Sequence, residues 1–204
     1  KQYGGCVLTT AIDKYVYCIV KERFDKQIYV NYSIKEIVDK VDDLQHELVR
    51  EALRETGVKA GIEITFLSDV PAAGSGLGSS STVTVGVLNA LYQHQGMPVT
   101  AEQLAQHASD IEINILKKPI GVQDQYIASY GGVNFIEFTK SGEVKVEPLG
   151  LSEEHLNDLT SYLMVFFTGK TRQAIAVLKE QQANISKKNS ILLDMADQAR
   201  LGQK

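Results

Sequence analysis

Cysteine is nearly absent from this chain. Its 204 residues hold two, Cys6 and Cys18, both inside apolar, strand-like runs. A disulfide-stapled secreted scaffold needs more, so buried thiols in a reducing cytoplasm are the expectation. No apolar run approaches the roughly twenty residues of a membrane span, so no membrane partner is expected. Basic residues do not dominate either: 21 Lys and Arg stand against 25 Asp and Glu, a net charge of −4. That balance excludes a protein that binds nucleic acid through a broad basic face, while leaving room for a local basic pocket. The four histidines, His46, His94, His107 and His155, show no metal-ligand spacing and are expected on helices or helix ends, facing solvent. Repeats and low-complexity stretches are missing too. What remains, at 44% hydrophobic and 23% charged, is the composition of an ordinary globular chain. Its length allows one generous domain, or one plus part of another.

Strands are expected from Gly5 to Thr10, Tyr15 to Lys21 and Gln27 to Tyr32, where Val, Ile, Tyr and Thr cluster. The second and third are expected to pair across the turn around Phe24-Asp25-Lys26. Leu44 to Glu55 reads as a surface helix stopped by Gly57, and Gly61 to Leu67 alternates like a strand. A helix from Ser79 to about Gln93, burying Val83, Val87, Leu88 and Leu91, has the small apolar face of a central helix. Thr100 and Gln103 form a capping-box signature for another, with a core stripe of Leu104, Ala108, Ile111 and Ile115. Pro119 and Gly121 then open a loop carrying Asp124. Gly132 to Phe138 and Glu143 to Pro148 read as a hairpin turning at Lys140-Ser-Gly142. Ser152 to Asp158 reads as a polar helix, Ser161 to Thr168 as a buried strand, and Thr171 onward as a long helix. The shift in composition places a domain boundary near Gly150.

Between the alternating run and the central helix lies Pro71-Ala-Ala-Gly-Ser-Gly-Leu-Gly-Ser-Ser-Ser81. Gly74, Gly76 and Gly78 permit a tight turn with no side chains over the loop. Ser79, Ser80 and Ser81 then start a helix, whose N–H groups and positive dipole end attract an anion. The order fits a phosphate and excludes two commoner loops. A dinucleotide fingerprint needs glycine at Ser79, and a Walker A loop needs Gly-Lys-Ser/Thr after Leu77. Thr168-Gly-Lys-Thr171 is no Walker A loop either, because Met164 stands where its first glycine belongs.

Pro-x-x-Gly-x-Gly-Leu-Gly-Ser-Ser-Ser closely resembles the phosphate loop of the galactokinase, homoserine kinase, mevalonate kinase and phosphomevalonate kinase superfamily, the GHMP kinases. Glu112, twelve residues before Asp124 in Gly121-Val-Gln-Asp-Gln125, resembles that superfamily's Glu…Gly-x-x-Asp pair. Gly-Leu-Gly-Ser-Ser-Ser-x-x-Thr-Val-Gly, Asp-Gln-Tyr-x-Ala, Gly-Gly-Val-Asn and Phe-Thr-Gly-x-Thr-Arg are most similar to the D-glycero-D-manno-heptose 7-phosphate kinases. The likeness runs from about Tyr3 to about Gln182. The family's initial strand with Gly-Gly-Gly-x-Asp and its closing glycine motif have no counterpart here, so a piece of a longer kinase is expected.

The resemblance implies an α+β, two-domain fold. Residues 1–150 would be an ATP-binding N-terminal domain, similar to the second domain of a small-subunit ribosomal protein and lacking its first strand. Residues 151–204 would begin a ferredoxin-like C-terminal domain. The implied reaction transfers the ATP γ-phosphate to a sugar hydroxyl, by closest likeness the anomeric hydroxyl of a heptose 7-phosphate on the route to nucleotide-activated heptose. Fucose or another sugar is the alternative substrate, and a non-catalytic sugar and nucleotide sensor the alternative of another class. Pro71 and residues Gly74, Ser75, Gly76, Leu77, Gly78, Ser79, Ser80 and Ser81 would hold ATP. Ser80 and Glu112 would hold Mg²⁺, which takes hard oxygen ligands and keeps some waters. Read alone, they are a cap serine and a solvated helix glutamate. Asp124 would be the base, and read alone it is an Asx-turn residue. Gln125, Thr168, Gly169 and Arg172 would border the sugar, with a solvated arginine the plainer reading of Arg172. Lys117-Lys118 reads as a solvated helix end. A cytoplasmic location and a small-molecule sugar or sugar-phosphate partner follow, with a homo-oligomer left open.

Overall fold

The computed structural model describes residues 4–70, 76–166, 178 and 189–203, and these form two compact units. One unit, drawn from residues 4–12 and from 131 onward, is built on a three-stranded antiparallel sheet. Strand β1 (Gly5–Thr10) pairs with β6 (Val133–Phe138), and β6 with β7 (Val144–Pro148), as the hairpin reading expects. Cys6 and Phe135 cover this sheet from below helix α6 (Asn189–Gly202), whose Ala196 and Ala199 let it approach closely. The Cys6 thiol donates to the Ala196 carbonyl at 3.3 Å. Burial raises its pKa, and that of Cys18 to about 12, and both thiols are free. Helix α5 (Glu153–Ser161) is capped by Ser152 and solvated on every side.

The expected buried strand from Ser161 is not formed. Its first residue ends α5, and Tyr162 to Phe166 are exposed, Met164 by 79%. No sheet edge among the described residues receives them, so an apolar run that pattern alone reads as a strand has no partner. Thr168 lies outside the described residues.

The other unit, residues 13–130, has a four-stranded sheet in the order β2-β5-β3-β4. Its strands are β2 (Val16–Glu22), β3 (Ile28–Asn31), β4 (Lys35–Val38) and β5 (Ile62–Ser68). β5 runs antiparallel to β2 and parallel to β3, so the expected β2–β3 hairpin is replaced by an inserted strand. Two features hold the 23–27 connection wide enough for this. Arg23 clamps Asp25 and Glu63, and the Arg23 amide donates to the Gly61 carbonyl at 2.9 Å. Gly61 sits at φ +71°, where a Cβ would lie 3.2 Å from the Asp25 carbonyl. β4, which the sequence pattern missed, is a short edge strand.

One face of this sheet carries the core. Ile28, Val30, Ile62 and Ile64 meet Val49, Ala52 and Leu53 of α1 (Glu47–Thr56) and Val85, Leu88 and Leu91 of α2 (Ser79–His94). Helix α2 buries Ser81 and Thr84 together with Val85, Val87, Leu88 and Leu91, which makes it the central helix, while Val83, expected in its core, is only partly buried. Helix α3 (Ala101–Ser109) starts at the Thr100/Gln103 capping box and adds Leu104 and Ala108. It runs into a π-helical turn, Asp110–Ile115, and α4 (Gln123–Tyr130) follows. The wider turn keeps Ile111 in the core but swings Ile115 out to 45% exposure, against the stripe expected from a regular helix.

Glu36 fixes where α1 begins. Its buried carboxylate accepts from the amides of Gln45 (2.6 Å) and His46 (3.0 Å) and from the Tyr32 hydroxyl. His46 is therefore not solvated as expected. Its Nδ1 accepts from the Val49 amide at 3.4 Å, and its ring stacks on Phe66 and meets the edge of Tyr32. His107 is also part-buried, 2.8 Å from the Tyr92 hydroxyl. Burial lowers the His46 pKa, so the unfolded chain takes up its proton at higher pH than the native one. Stability from His46 is present above the ordinary histidine value of about 6.5 and is lost as pH falls below it. Melting temperature should therefore drop on acidification from about pH 7.5 to about pH 5.5 by more in the parent than in His46→Asn, which caps without titrating. Equal drops would place the acid sensitivity elsewhere.

Candidate functional site

Three segments of the second unit meet at the N-terminus of α2. The first is the glycine loop. Gly76 and Gly78 have φ of +76° and +70°, the left-handed region that glycine enters without cost. Gly78 is the N-cap position of α2 and has no side chain to close the helix end. The first turn is locked from inside: Thr82 Oγ1 donates to the Gly78 carbonyl and Thr84 Oγ1 to that of Ser80. Leu77 is 45% exposed, Ser79 is the first helical residue, and Ser81 is buried. Pro71, Gly74 and Ser75 lie outside the described residues, as do Thr168, Gly169 and Arg172.

The second segment is the π-helical turn that carries Glu112, a carboxylate with 0% exposure. Its Oε2 accepts from Ser80 Oγ at 2.8 Å, and its Oε1 accepts from Gln125 Nε2 at 2.8 Å. The chain then curls back on itself. The Lys118 amide donates to the Glu112 carbonyl at 2.9 Å, and Lys117 takes a positive φ of 54°. This curl delivers the Lys118 ammonium to 3.7 Å from Glu112 Oε2 and 2.9 Å from Glu47 Oε1, with 14% of the side chain exposed. Lys118 is thus no solvated helix end. Nothing in the sequence marks it, because a lysine six residues after a glutamate is off its face in a regular helix.

The third segment is α4. Asp124 occupies its first turn, not a loop, where the helix dipole favours a carboxylate. It touches the glycine loop: a Cβ on Gly78 would lie 3.4 Å from Asp124 Cβ, Cγ and Oδ2. Asp124 keeps access to solvent, yet partial desolvation of its carboxyl, and secondarily the charge of Glu112, push its pKa above the ordinary aspartate value. Gln125, expected to border a sugar, is fully buried and is occupied with Glu112.

The structure therefore brings Ser80, Glu112, Asp124 and Gln125 together around the helix start. Among the described residues no group of three or more His, Cys, Asp or Glu is placed to hold a metal ion by itself. A pair of hard oxygens on Ser80 and Glu112 suits Mg²⁺, which takes few protein ligands and completes its shell with phosphate and water. The same segments match a known family: residues 43–132 fit the model of the GHMP kinases N-terminal domain. These residues are a GHMP kinase N-terminal domain.

The relatives and the fold agree with it. A D-glycero-alpha-D-manno-heptose 7-phosphate kinase of Campylobacter jejuni is 31% identical over 93% of this chain and 59% of its own length. An L-fucokinase/L-fucose-1-P guanylyltransferase of Bacteroides fragilis is 30% identical over 74% of the chain and 16% of its own length. A crystal structure of a D-glycero-D-manno-heptose 1-phosphate kinase from Bacteroides thetaiotaomicron superposes with a TM-score of 0.75 at 28% identity, covering 95% of this chain and 66% of that one. The chain thus spans about three-fifths of the first of these curated relatives. Its mixed α and β architecture is the GHMP kinase fold. Among the described residues no helix is long and apolar enough to cross a membrane.

Gly76 and Gly78 of this GHMP kinase domain differ in what an added methyl meets. At Gly76 nothing among the described residues lies within 4 Å, whereas at Gly78 the neighbour is Asp124. Gly76→Ala and Gly78→Ala should each cost about 1 kcal/mol of stability for the left-handed backbone. Only Gly78→Ala should raise the mobility or shift the carboxyl resonance of Asp124, read by NMR of labelled aspartate. An Asp124 resonance displaced equally by both substitutions would remove the contact.

Proposed function

We propose that this chain is the nucleotide-binding part of an ATP-dependent sugar kinase. The observation that carries the reading is the hydrogen bond from Ser80 to the buried Glu112 at the N-terminus of α2, with Asp124 packed against Gly78. The backbone of the 71–81 loop and the first turn of α2 would cradle the ATP phosphates. Ser80 and Glu112 would hold Mg²⁺, and the bound ion would neutralise charge on the β- and γ-phosphates. Asp124 would orient the sugar hydroxyl and take its proton as that oxygen attacks the γ-phosphorus and ADP departs. The raised pKa of its carboxyl makes it a stronger base than a solvated aspartate, while the dipole of α4 holds it ready.

The sugar is best read as a heptose phosphate phosphorylated at its anomeric hydroxyl, as the names of the heptose kinase relatives suggest. The fucokinase relative favours fucose as the second reading. Residues 1–150 would form the N-terminal domain and 151–204 the start of the second. Thr168, Gly169 and Arg172 would border the sugar, and the free thiols suit a cytoplasmic setting.

ADP release by the full-length protein, measured over a panel of heptose phosphates and free hexoses, tests the substrate. Turnover confined to sugars outside both classes would overturn the assignment. Asp124→Asn should keep ATP affinity and lower kcat by roughly 10²–10⁴-fold. A kcat within a few fold of the parent would remove Asp124 from the chemistry. Ser80→Ala and Glu112→Gln should each raise the Mg²⁺ concentration for half-maximal rate, and titrations unchanged in both would place the metal elsewhere.

A further inference from the structure

The ammonium of Lys118 stands between two carboxylates of unlike character. Glu112 is sealed from solvent and accepts hydrogen bonds from Ser80 and Gln125, while Glu47, on the first turn of α1, is half exposed. Lys118 lies closer to Glu47 (2.9 Å) than to Glu112 Oε2 (3.7 Å), and that is the same oxygen that Ser80 contacts. Burying a carboxylate without a nearby cation costs several kcal/mol, and Lys118 is the one basic side chain among the described residues that forms an ion pair with Glu112. Three elements contribute to the arrangement. The Glu36 carboxylate sets the start of α1 and hence the position of Glu47. The backward curl of residues 116–118 sets that of Lys118. The π-helical turn sets that of Glu112.

We propose that Lys118 is a positioning residue that acts through Glu112 as its built-in counter-ion, and that Glu47 receives the ammonium when a divalent cation binds. This rests on the reading of Glu112 as the metal carboxylate. A second positive charge entering beside Oε2 repels Lys118, whose flexible four-carbon stem already reaches an alternative acceptor. Metal-free protein keeps Glu112 compensated and aimed at Ser80. Metal affinity is then set by a competition in which Glu47 decides how easily Lys118 leaves.

The two arms of that competition predict shifts of opposite sign, which a merely structural role would not produce. The experiment is Mn²⁺ binding to the full-length protein with a non-hydrolysable ATP analogue, read by electron paramagnetic resonance. Lys118→Met removes the competitor and should tighten Mn²⁺ by about tenfold, given a like charge roughly 4 Å away in a partly screened site. Glu47→Gln leaves the ammonium on Glu112 and should weaken Mn²⁺ by about threefold, the scale of a half-exposed ion pair. Glu47 is at the surface, so its variant reports even where Lys118→Met fails to fold. Glu112→Gln in the same assay separates the two claims. If it leaves Mn²⁺ affinity unchanged, Glu112 is no metal ligand and the proposal falls with it. If it weakens Mn²⁺ while Glu47→Gln leaves affinity unchanged or tightened, the metal reading stands and the role of Lys118 is overturned.

Discussion

Burying the Glu112 carboxylate completely is the constraint on which the site depends. Such a charge is tolerated only when its oxygens are hydrogen-bonded and a cation stands near. Here each partner comes from a different element: Ser80 from the first turn of α2, Gln125 from α4, and Lys118 from the curl after the π-helical turn. A carboxylate satisfied in this way ties together segments far apart in sequence. It also means that none of the three partners is a spectator. Moving any one leaves a buried polar group unpaired, which costs about 1–3 kcal/mol or more when the group is charged.

The same constraint gives the site a direction. Ser80 holds Glu112 against the start of a helix whose cap position is a glycine, so carboxylate and helix end face one place. Negative and positive features set side by side accommodate an anion together with its metal, and neither alone would. Asp124 completes the arrangement from the other side, close to Gly78 and oriented by its own helix. Desolvation, and secondarily the charge of Glu112, raise the pKa of its carboxyl above the ordinary aspartate value.

Local signals were legible in the sequence and non-local ones were not. The positive φ at Gly76 and Gly78, the Thr100 cap and the β6–β7 hairpin are each decided within a few residues, and each is where the pattern puts it. The GHMP kinase likeness rests on similarly short runs and matches the family model. The insertion of β5 between β2 and β3 depends on Arg23 reaching Glu63 forty residues on, which no local pattern encodes. The π-helical turn breaks the regular period, and so hid both the exposure of Ile115 and the approach of Lys118 to Glu112. Asp124 looked like a loop residue because α4 is a short helix with only Gln125 and Tyr126 buried, too little for a stripe. His46 looked solvated because its stacking partners, Tyr32 and Phe66, come from opposite sides in sequence.

A crystal structure of the full-length protein with Mg²⁺ and a non-hydrolysable ATP analogue is the most direct test of this account. The account predicts phosphate oxygens on the backbone N–H groups at the start of α2, and a Mg²⁺ bound by Ser80 Oγ and a Glu112 oxygen, with Asp124 facing the γ-phosphate. A nucleotide whose phosphates lie away from that helix end, or a metal that touches neither Ser80 nor Glu112, would contradict it.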